Sequence, residues 1–275
     1  FPIVMIDGAR GVGKTTSAAR LAASVVSLPT DLGRLRADPE AYLTSLAAPV
    51  LIDEWQLAGT DLLWMLKRTV DADPTPGRFL LAGSVEPATY GPTFPLTARA
   101  ARVVMRPMTV AEWAGRGAAT TFLERIAAGE RPTSSGGSPA RFDMEWLGRA
   151  GFPATRPLAD PALFLESYAA LVSQRAGDEG RDATRLLTTM RVLATLEAQA
   201  VPDQRVWESA DINKVTWKAY EDLLARIHLA VPSPAFDSNR VKRLTTYRNR
   251  YLADTALSLS LAGIAVPDLV ADPTL

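Results

Sequence analysis

An α/β fold organised around a parallel sheet is predicted by three runs in the first 115 residues. GARGVGKTT, Gly8 to Thr16, follows the apolar PIVMID; Pro49 to Ile52 leads into Asp53 and Glu54; Arg78 to Ala82 leads into Gly83 and Ser84. Each apolar run is short and continuous, as a strand buried on both faces must be, and each ends in polar or glycine residues where an open α/β sheet carries its ligands. Segments of helical periodicity separate them, so strands and helices alternate as in a parallel sheet covered by helices.

The first run sets the chemistry. Gly8, Gly13, Lys14 and Thr15 have the spacing of a Walker A phosphate-binding loop. Its glycines let the backbone wrap tightly around a β-phosphate, with the N–H groups of Ala9, Arg10, Gly11, Val12, Gly13, Lys14, Thr15 and Thr16 available to line the cradle. Lys14 then reaches the β- and γ-phosphates, and the Thr15 hydroxyl is a ligand for Mg²⁺. The helix opening near Lys14 continues with Ala18, Leu21, Ala22 and Val25 at helical spacing and brings its positive dipole end under the phosphates.

The second run supplies the other half of the site. Asp53, at the end of a central strand, reads as the Walker B carboxylate that holds Mg²⁺, and Glu54 as the group that polarises the attacking water. In ATPases of the additional-strand type a polar residue at the tip of the strand beside Walker B orients that water, and Ser84 has this position. Arg99, Arg102 and Arg106 surround the strand-like Val103 to Met105. Arg102, with Arg99 as the alternative, is assigned to stabilising transition-state charge, in cis or from a neighbouring subunit of a homo-oligomer. The competing reading is a solvated arginine flanking an edge strand.

Helices fill the gaps in order. Asp38-Pro39 is an N-cap followed by proline at the first helical position, starting a helix that ends before Pro49. Thr60 starts another, with Leu62, Leu63, Leu66 and Val70 on one face, stopped before Pro74-Thr75-Pro76-Gly77. The core thus occupies 1–115. Residues 116–157 read as a linker and loop region, with Pro132 to Pro139 its clearest linker.

Residues 158–275 read as a helical region containing a winged helix at about 184–265. Asp160 to Arg175 and Thr184 to Ala200 are amphipathic, joined by a polar segment expected to be disordered. Then come a short segment from Trp207 to Ala210, a turn and cap at Asp211-Ile212-Asn213, and a helix from Lys214 to about Arg226. Extended runs at Leu229 to Phe236 and Arg250 to Leu252 follow, with a basic loop between them. As a DNA binder this module would present Lys214, Thr216, Trp217 and Lys218 to the groove, and Arg240, Lys242, Arg243, Arg248 and Arg250 to the backbone. The competing reading is a module that packs against the ATPase as a lid or binds protein, which zero regional charge and Trp217 on the helix favour.

Composition narrows the partners. Thirty basic and thirty acidic residues give zero net charge, so no global field draws the chain to nucleic acid or a membrane. No apolar stretch reaches ~18 residues, so no membrane span is expected. There is no cysteine, which excludes disulfides and Cys-based zinc sites and fits a reducing cytoplasm. The single histidine, His228, lies in an apolar segment and reads as structural.

Taken in order, GARGVGKTT, PVLIDEW, RFLLAGS, RVVMRPMTVAEW, AGFPA at Ala150 to Ala154, INKVTWKAYEDLL and RLTTYRNRYLADTALSLSLAGI resemble bacterial AAA-type ATP-binding proteins whose C-terminal half is a domain of unknown function. The resemblance spans nearly the whole chain. It implies an AAA-like P-loop NTPase core with ATP and Mg²⁺ as cofactors, a helical and winged-helix region, and often a further nuclease-like domain beyond it. With that domain lacking, a start at Phe1 and abrupt transitions near Ser27 and Ala176, the chain is expected to be a fragment or to lack segments. Such proteins usually carry a polar residue before Gly83, where Ala82 stands here, so the sensor role rests on Ser84. Their Gly-Arg is Ala101-Arg102, which keeps the arginine.

Roles suggested for such proteins include DNA processing, toxin–antitoxin association and defence. The leading reading is a Mg²⁺-dependent ATPase that moves the winged-helix region, acting on DNA as an oligomeric motor. The alternative is a nucleotide-dependent switch or antitoxin-like protein-binding module with slow hydrolysis. A P-loop kinase would need an acceptor-phosphate motif that the sequence does not offer.

Overall fold

A computed structural model describes residues 1–84, 94–115, 126–129, 143–233 and 247–272. Strands β1 (Ile3–Asp7), β2 (Ser24–Ser27), β3 (Val50–Asp53), β4 (Phe79–Gly83) and β5 (Ala100–Val104) form one parallel sheet in the order β2-β3-β4-β1-β5. β4 is inserted between the strand of the glycine-rich loop and the strand of the two acids: Asp7 lies opposite Gly83, and Asp53 opposite Ala82. All of their C-terminal ends therefore meet at one edge.

Both faces are covered. Ile3, Met5, Val50, Ile52, Phe79 and Leu81 pack against α2 (Leu32–Ala37), α3 (Pro39–Thr44) and α4 (Thr60–Ala72), with Leu35, Leu43, Leu62, Leu63 and Leu66 buried. Leu51, Leu80 and Ala82 on the other face meet Ala18 of α1 (Lys14–Ala19). The Asp38 side chain caps α3 by accepting from the Ala41 N–H at 3.0 Å, as its place before Pro39 requires. The helix expected to run from Lys14 through Leu21, Ala22 and Val25 ends at Ala19, and Val25 lies in β2: the spacing of four apolar residues mimicked a helical face, while SVVS is too short to show a strand period. α2 has no counterpart in the sequence reading, since LGRLRA has a glycine in its second position.

After β5 the chain forms α5 (Val110–Trp113), closed by a capping box between Thr109 and Glu112. The helical region contains α6 (Ala162–Ser173), α7 (Arg175–Asp178), α8 (Ala183–Thr195), α9 (Asp203–Ser209) and α10 (Lys214–Arg226). It continues through the antiparallel pair β6 (Ala230–Ser233) and β7 (Asn249–Leu252) to α11 (Thr255–Ala262) and α12 (Val266–Ala271). The segment expected to be disordered between α6 and α8 is built in: Ala176 is buried, Glu179 pairs with Arg226, and Asp182 caps α8. Pro132 to Pro139, and the basic Arg240, Lys242 and Arg243, lie outside the described residues.

Ala150 to Thr155, placed by sequence in the linker region, belongs to the core. Ala150 is 1% and Phe152 0% exposed, and Phe152 shares a hydrophobic cluster with Ala9 and Val12 of the loop. Three hydrogen bonds hold this segment between β5 and α11. The Met108 N–H donates to the Gly151 carbonyl at 2.7 Å, the Gly151 N–H to Asp254 Oδ2 at 2.6 Å, and the Leu257 N–H to Asp254 Oδ1 at 2.9 Å.

No side chain fits at Gly151, where a Cβ would sit 2.6 Å from the Met108 carbonyl oxygen and 2.7 Å from Pro107 Cβ. Since the obstacle is largely backbone, Gly151→Ala is expected to cost about 1–3 kcal/mol. Gly177→Ala, with nothing within 4 Å of the added carbon, is the control. Equal urea midpoints for the two variants would contradict this docking.

Candidate nucleotide site

The loop after β1 owes its shape to two close approaches. A Cβ at Gly8 would lie 2.2 Å from the Met105 carbonyl oxygen, and Gly13 stands at φ 95°, in the left-handed region. α1 begins immediately after Gly13. Within this turn Lys14 is only 7% exposed, and its ammonium donates to the Gly8 carbonyl at 2.8 Å and the Ala9 carbonyl at 2.9 Å. Burial lowers the Lys14 pKa, against the pull of Glu54, Asp53 and Asp7. The ammonium is thus a partly desolvated charge held on neutral carbonyl acceptors.

Across the edge, Thr15 Oγ1 donates to Asp53 Oδ2 at 2.9 Å, so the two side chains assigned to Mg²⁺ stand side by side. They are hard oxygen donors of the kind Mg²⁺ prefers, and that ion completes its octahedron with water and substrate phosphate. Among the described residues there is no group of three or more His, Cys, Asp or Glu side chains able to hold a metal. The donor set fits an ion shared with a nucleotide rather than one caged by protein.

Glu54 has φ 53°, a left-handed conformation uncommon for glutamate. This reverses the chain at the strand tip and turns the carboxylate back toward β4. There Gln56 Nε2 donates to Glu54 Oε2, and Ser84 Oγ reaches the same oxygen at 3.5 Å. Gln56 is a partner that the sequence reading missed; its only signal was adjacency to the acid pair. Gly83 is required beneath this cluster, since a Cβ there would meet Gln56 Oε1 at 2.9 Å and Trp55 Nε1 at 3.0 Å.

The arginines divide. Arg99 lies at the opposite edge of the sheet, before the start of β5, and grips Asp71 through Nε at 2.5 Å and Nη2 at 3.1 Å. Those bonds hold the Asp71 pKa down at about 2. This place is remote from the phosphate loop of the same chain. Arg102 Nε donates to Asp7 Oδ2 at 2.5 Å, tying β5 to β1 just before Gly8. Its side chain is engaged within its own chain as a brace. Arg106, one residue beyond Met105, is exposed at the same edge as the loop.

The crest of the loop rests on the helical region. Phe152 lies 3.7 Å from the position a Cβ would take at Gly11, and Pro153 Cγ 3.4 Å from that at Gly13. Tyr168 of α6 donates its hydroxyl to the Arg10 carbonyl at 3.1 Å, and its ring packs at a tilt of 43° against Phe152 with centroids 4.6 Å apart. Burial raises the Tyr168 pKa, keeping it a neutral donor. A cavity of about 650 Å³ opens beside this contact, lined by Arg10, Gly11, Ser84, Phe164, Tyr168 and Arg175 among others.

The residues assigned to DNA fare differently. Lys214 is exposed. Trp217 is 0% exposed and cannot face a groove, and Lys218 is held by Asp203 at 2.7 Å and Glu221 at 2.8 Å. Burial opposes the Lys218 charge, but the two carboxylates outweigh it and raise its pKa. Arg248 also pairs with Glu221, at 2.7 Å, and the buried Arg250 pairs with Asp203 and Glu221 and lies over the Trp217 ring. Lys218 and Glu221 are three residues apart on α10, but the other partners in this network lie 15 to 47 residues apart, which hides the pattern in the sequence.

A parallel sheet of this order, with the glycine-rich loop following β1 and the acid pair at the tip of β3, has the architecture of an AAA-like P-loop core. Residues 1–114 match the AAA domain family, and residues 164–268 match a domain of unknown function, DUF8612. Uncharacterized protein Rv2008c of Mycobacterium tuberculosis and uncharacterized protein Mb2031c of Mycobacterium bovis are each 27% identical to this chain, over 96% of it and 56% of their own length. The chain therefore spans little more than half of these curated relatives. The solved structure of C. elegans PCH-2 is similar at 12% identity, covering 82% of this chain and 62% of that one, with a TM-score of 0.29. No helix among the described residues is long and apolar enough to cross a membrane.

Proposed function

We propose that this chain is a Mg²⁺-dependent ATPase in which nucleotide binding and hydrolysis shift the helical region against the core. The observation that carries this reading is the meeting at one edge of Lys14, the Thr15–Asp53 pair and Glu54, with the loop crest seated on Phe152, Pro153 and Tyr168. Bound ATP would supply the phosphoryl group, with Mg²⁺ held at Thr15 and Asp53. Lys14 would leave the Gly8 and Ala9 carbonyls to bind phosphate oxygens, Glu54 would accept the proton of the attacking water, and Ser84 would orient it. Releasing Lys14 frees the two carbonyls directly beside Arg10, whose own carbonyl binds Tyr168, so occupancy of the cradle bears on the contact with α6.

In a homo-oligomer Arg106, exposed on the edge next to β5, would be free to reach a neighbouring subunit's site. The helix, turn, helix and strand pair of α9, α10, β6 and β7 has the layout of a winged helix. Because Lys218, Arg248 and Arg250 are neutralised by Asp203 and Glu221, this favours a switch that packs on or binds protein over a motor on DNA. Phosphate release from ATP is expected with Mg²⁺ and to vanish with EDTA. It should rise less than twofold on adding single-stranded or duplex DNA. Hydrolysis unaffected by EDTA would overturn the ATPase reading, and strong salt-sensitive stimulation by DNA would restore the motor.

A further inference from the structure

Behind the segment that touches the phosphate loop lies a second cavity of about 400 Å³, lined by Trp113, Glu145, Arg149, Arg156, Leu158 and Pro161 among others. The guanidinium of Arg149 lies 4.8 Å from the centre of the Trp146 ring and 6.0 Å from that of Trp113; Arg156 lies 5.9 Å from Trp113. Trp113 is itself fixed, donating its indole N–H to the Ala150 carbonyl at 3.1 Å. Stacking on an aromatic face holds a guanidinium in place without using its N–H donors. Neither arginine pairs with a carboxylate among the described residues, although other surface arginines such as Arg78 and Arg99 do.

Two positioned cations at one cavity, with Glu145 the only acid among the described residues of its wall, call for an anion. A carboxylate is planar and is saturated by one bidentate fork, whereas the diverging oxygens of a phosphate can be held by two guanidiniums arriving from different directions. Leu158, Pro161, Val266 and Trp113 offer the same cavity an apolar wall suited to a planar ring. We propose that this cavity binds a phosphate-bearing nucleotide unit, the phosphate on Arg149 and Arg156 and the base against the apolar wall. The unit can be a free mononucleotide or one residue of a single strand, and the site is separate from the Walker A loop.

The test uses the full chain with the loop first saturated by Mg²⁺ and ADP, so that only the second cavity is read. A fluorescent oligothymidylate of about ten nucleotides is titrated by anisotropy, with thymidine monophosphate, inorganic phosphate and polyglutamate as competitors. The wild type is expected to bind, and Arg149→Ala with Arg156→Ala to lose at least about tenfold in affinity. Both side chains are exposed, so unchanged thermal melting is expected alongside. Arg34→Ala, at a side chain 77% exposed elsewhere, should bind as wild type. Competition by thymidine monophosphate identifies a mononucleotide site; competition only by unlabelled oligonucleotide identifies a strand. No wild-type binding, equal affinity of the double variant, equal competition by polyglutamate, or full rescue by Arg149→Lys with Arg156→Lys would each overturn the proposal.

Discussion

Glu54→Gln is expected to bind ATP with Mg²⁺ as the wild type does and to hydrolyse it about 10²–10³-fold more slowly. The substitution keeps size and shape and removes only the ability to take a proton. Its neighbours tolerate the change: the Gln56 amide and the Ser84 hydroxyl can both donate to the retained carbonyl oxygen. The left-handed backbone at Glu54 is also indifferent to it, since glutamine has the same β-carbon and the same cost there. In the proposed site binding would rest on Lys14 and the loop amides, and Lys14 hydrogen-bonds the Gly8 and Ala9 carbonyls rather than Glu54, so affinity should separate from turnover. Isothermal titration with ATP and phosphate release under single-turnover conditions check the two halves. Unchanged turnover would remove Glu54 from the mechanism and leave Asp53 with Ser84 as the remaining polar groups near the water.

Motifs whose chemistry demands fixed spacing were legible in the sequence. Lys14, Thr15, Asp53 and Glu54 could be placed because a phosphate cradle and a strand-end acid pair constrain consecutive residues, and their strands are continuous apolar runs. The insertion of β4 between β1 and β3 is a long-range fact, yet the polar Ser84 after an apolar run pointed to it.

What stayed hidden depends on pairs remote in sequence. Asp7 looks like a strand end until Arg102, 95 residues later, is seen on it; Gly151 looks like part of a linker until Asp254, 103 residues on, accepts its N–H. The basic character of Lys218, Arg248 and Arg250 likewise suggested an open phosphate-binding face only while Asp203 and Glu221 were read apart from it. Burial of Trp217 follows from the same packing, since the face of α10 that carries it is the one that meets the Arg250 guanidinium. Each of these errors has one origin: local sequence gives the sign of a charge but not its nearest counter-charge.

Arg102→Met is expected to destabilise the protein by about 2–4 kcal/mol, with no nucleotide present. Asp7 is 1% exposed, and its Oδ1 has no hydrogen-bond partner among the described residues, so its charge relies on the Arg102 guanidinium at Oδ2. Removing that cation leaves the buried carboxylate without its hydrogen-bonded partner, with only the charge of Lys14, which does not hydrogen-bond to it, to offset it, and this costs more than the pair itself contributes. The Arg102 side chain is 37% exposed, and water entering from that side keeps the cost below that of a fully enclosed pair. Turnover should fall as well, because the Asp7–Arg102 bond and the Met105 N–H to Asp7 carbonyl bond of 2.7 Å together fix the strand end from which Gly8 enters the loop. The decisive variant is Asp7→Asn combined with Arg102→Met, which removes both charges and should recover most of the lost stability and much of the turnover. An arginine acting on transition-state charge behaves oppositely: its loss would leave the urea midpoint unchanged and cut turnover in a way that Asp7→Asn could not restore. Urea melts and phosphate release on the two variants therefore separate a brace beneath the loop from a catalytic finger, and an unchanged midpoint in Arg102→Met would rule out the brace.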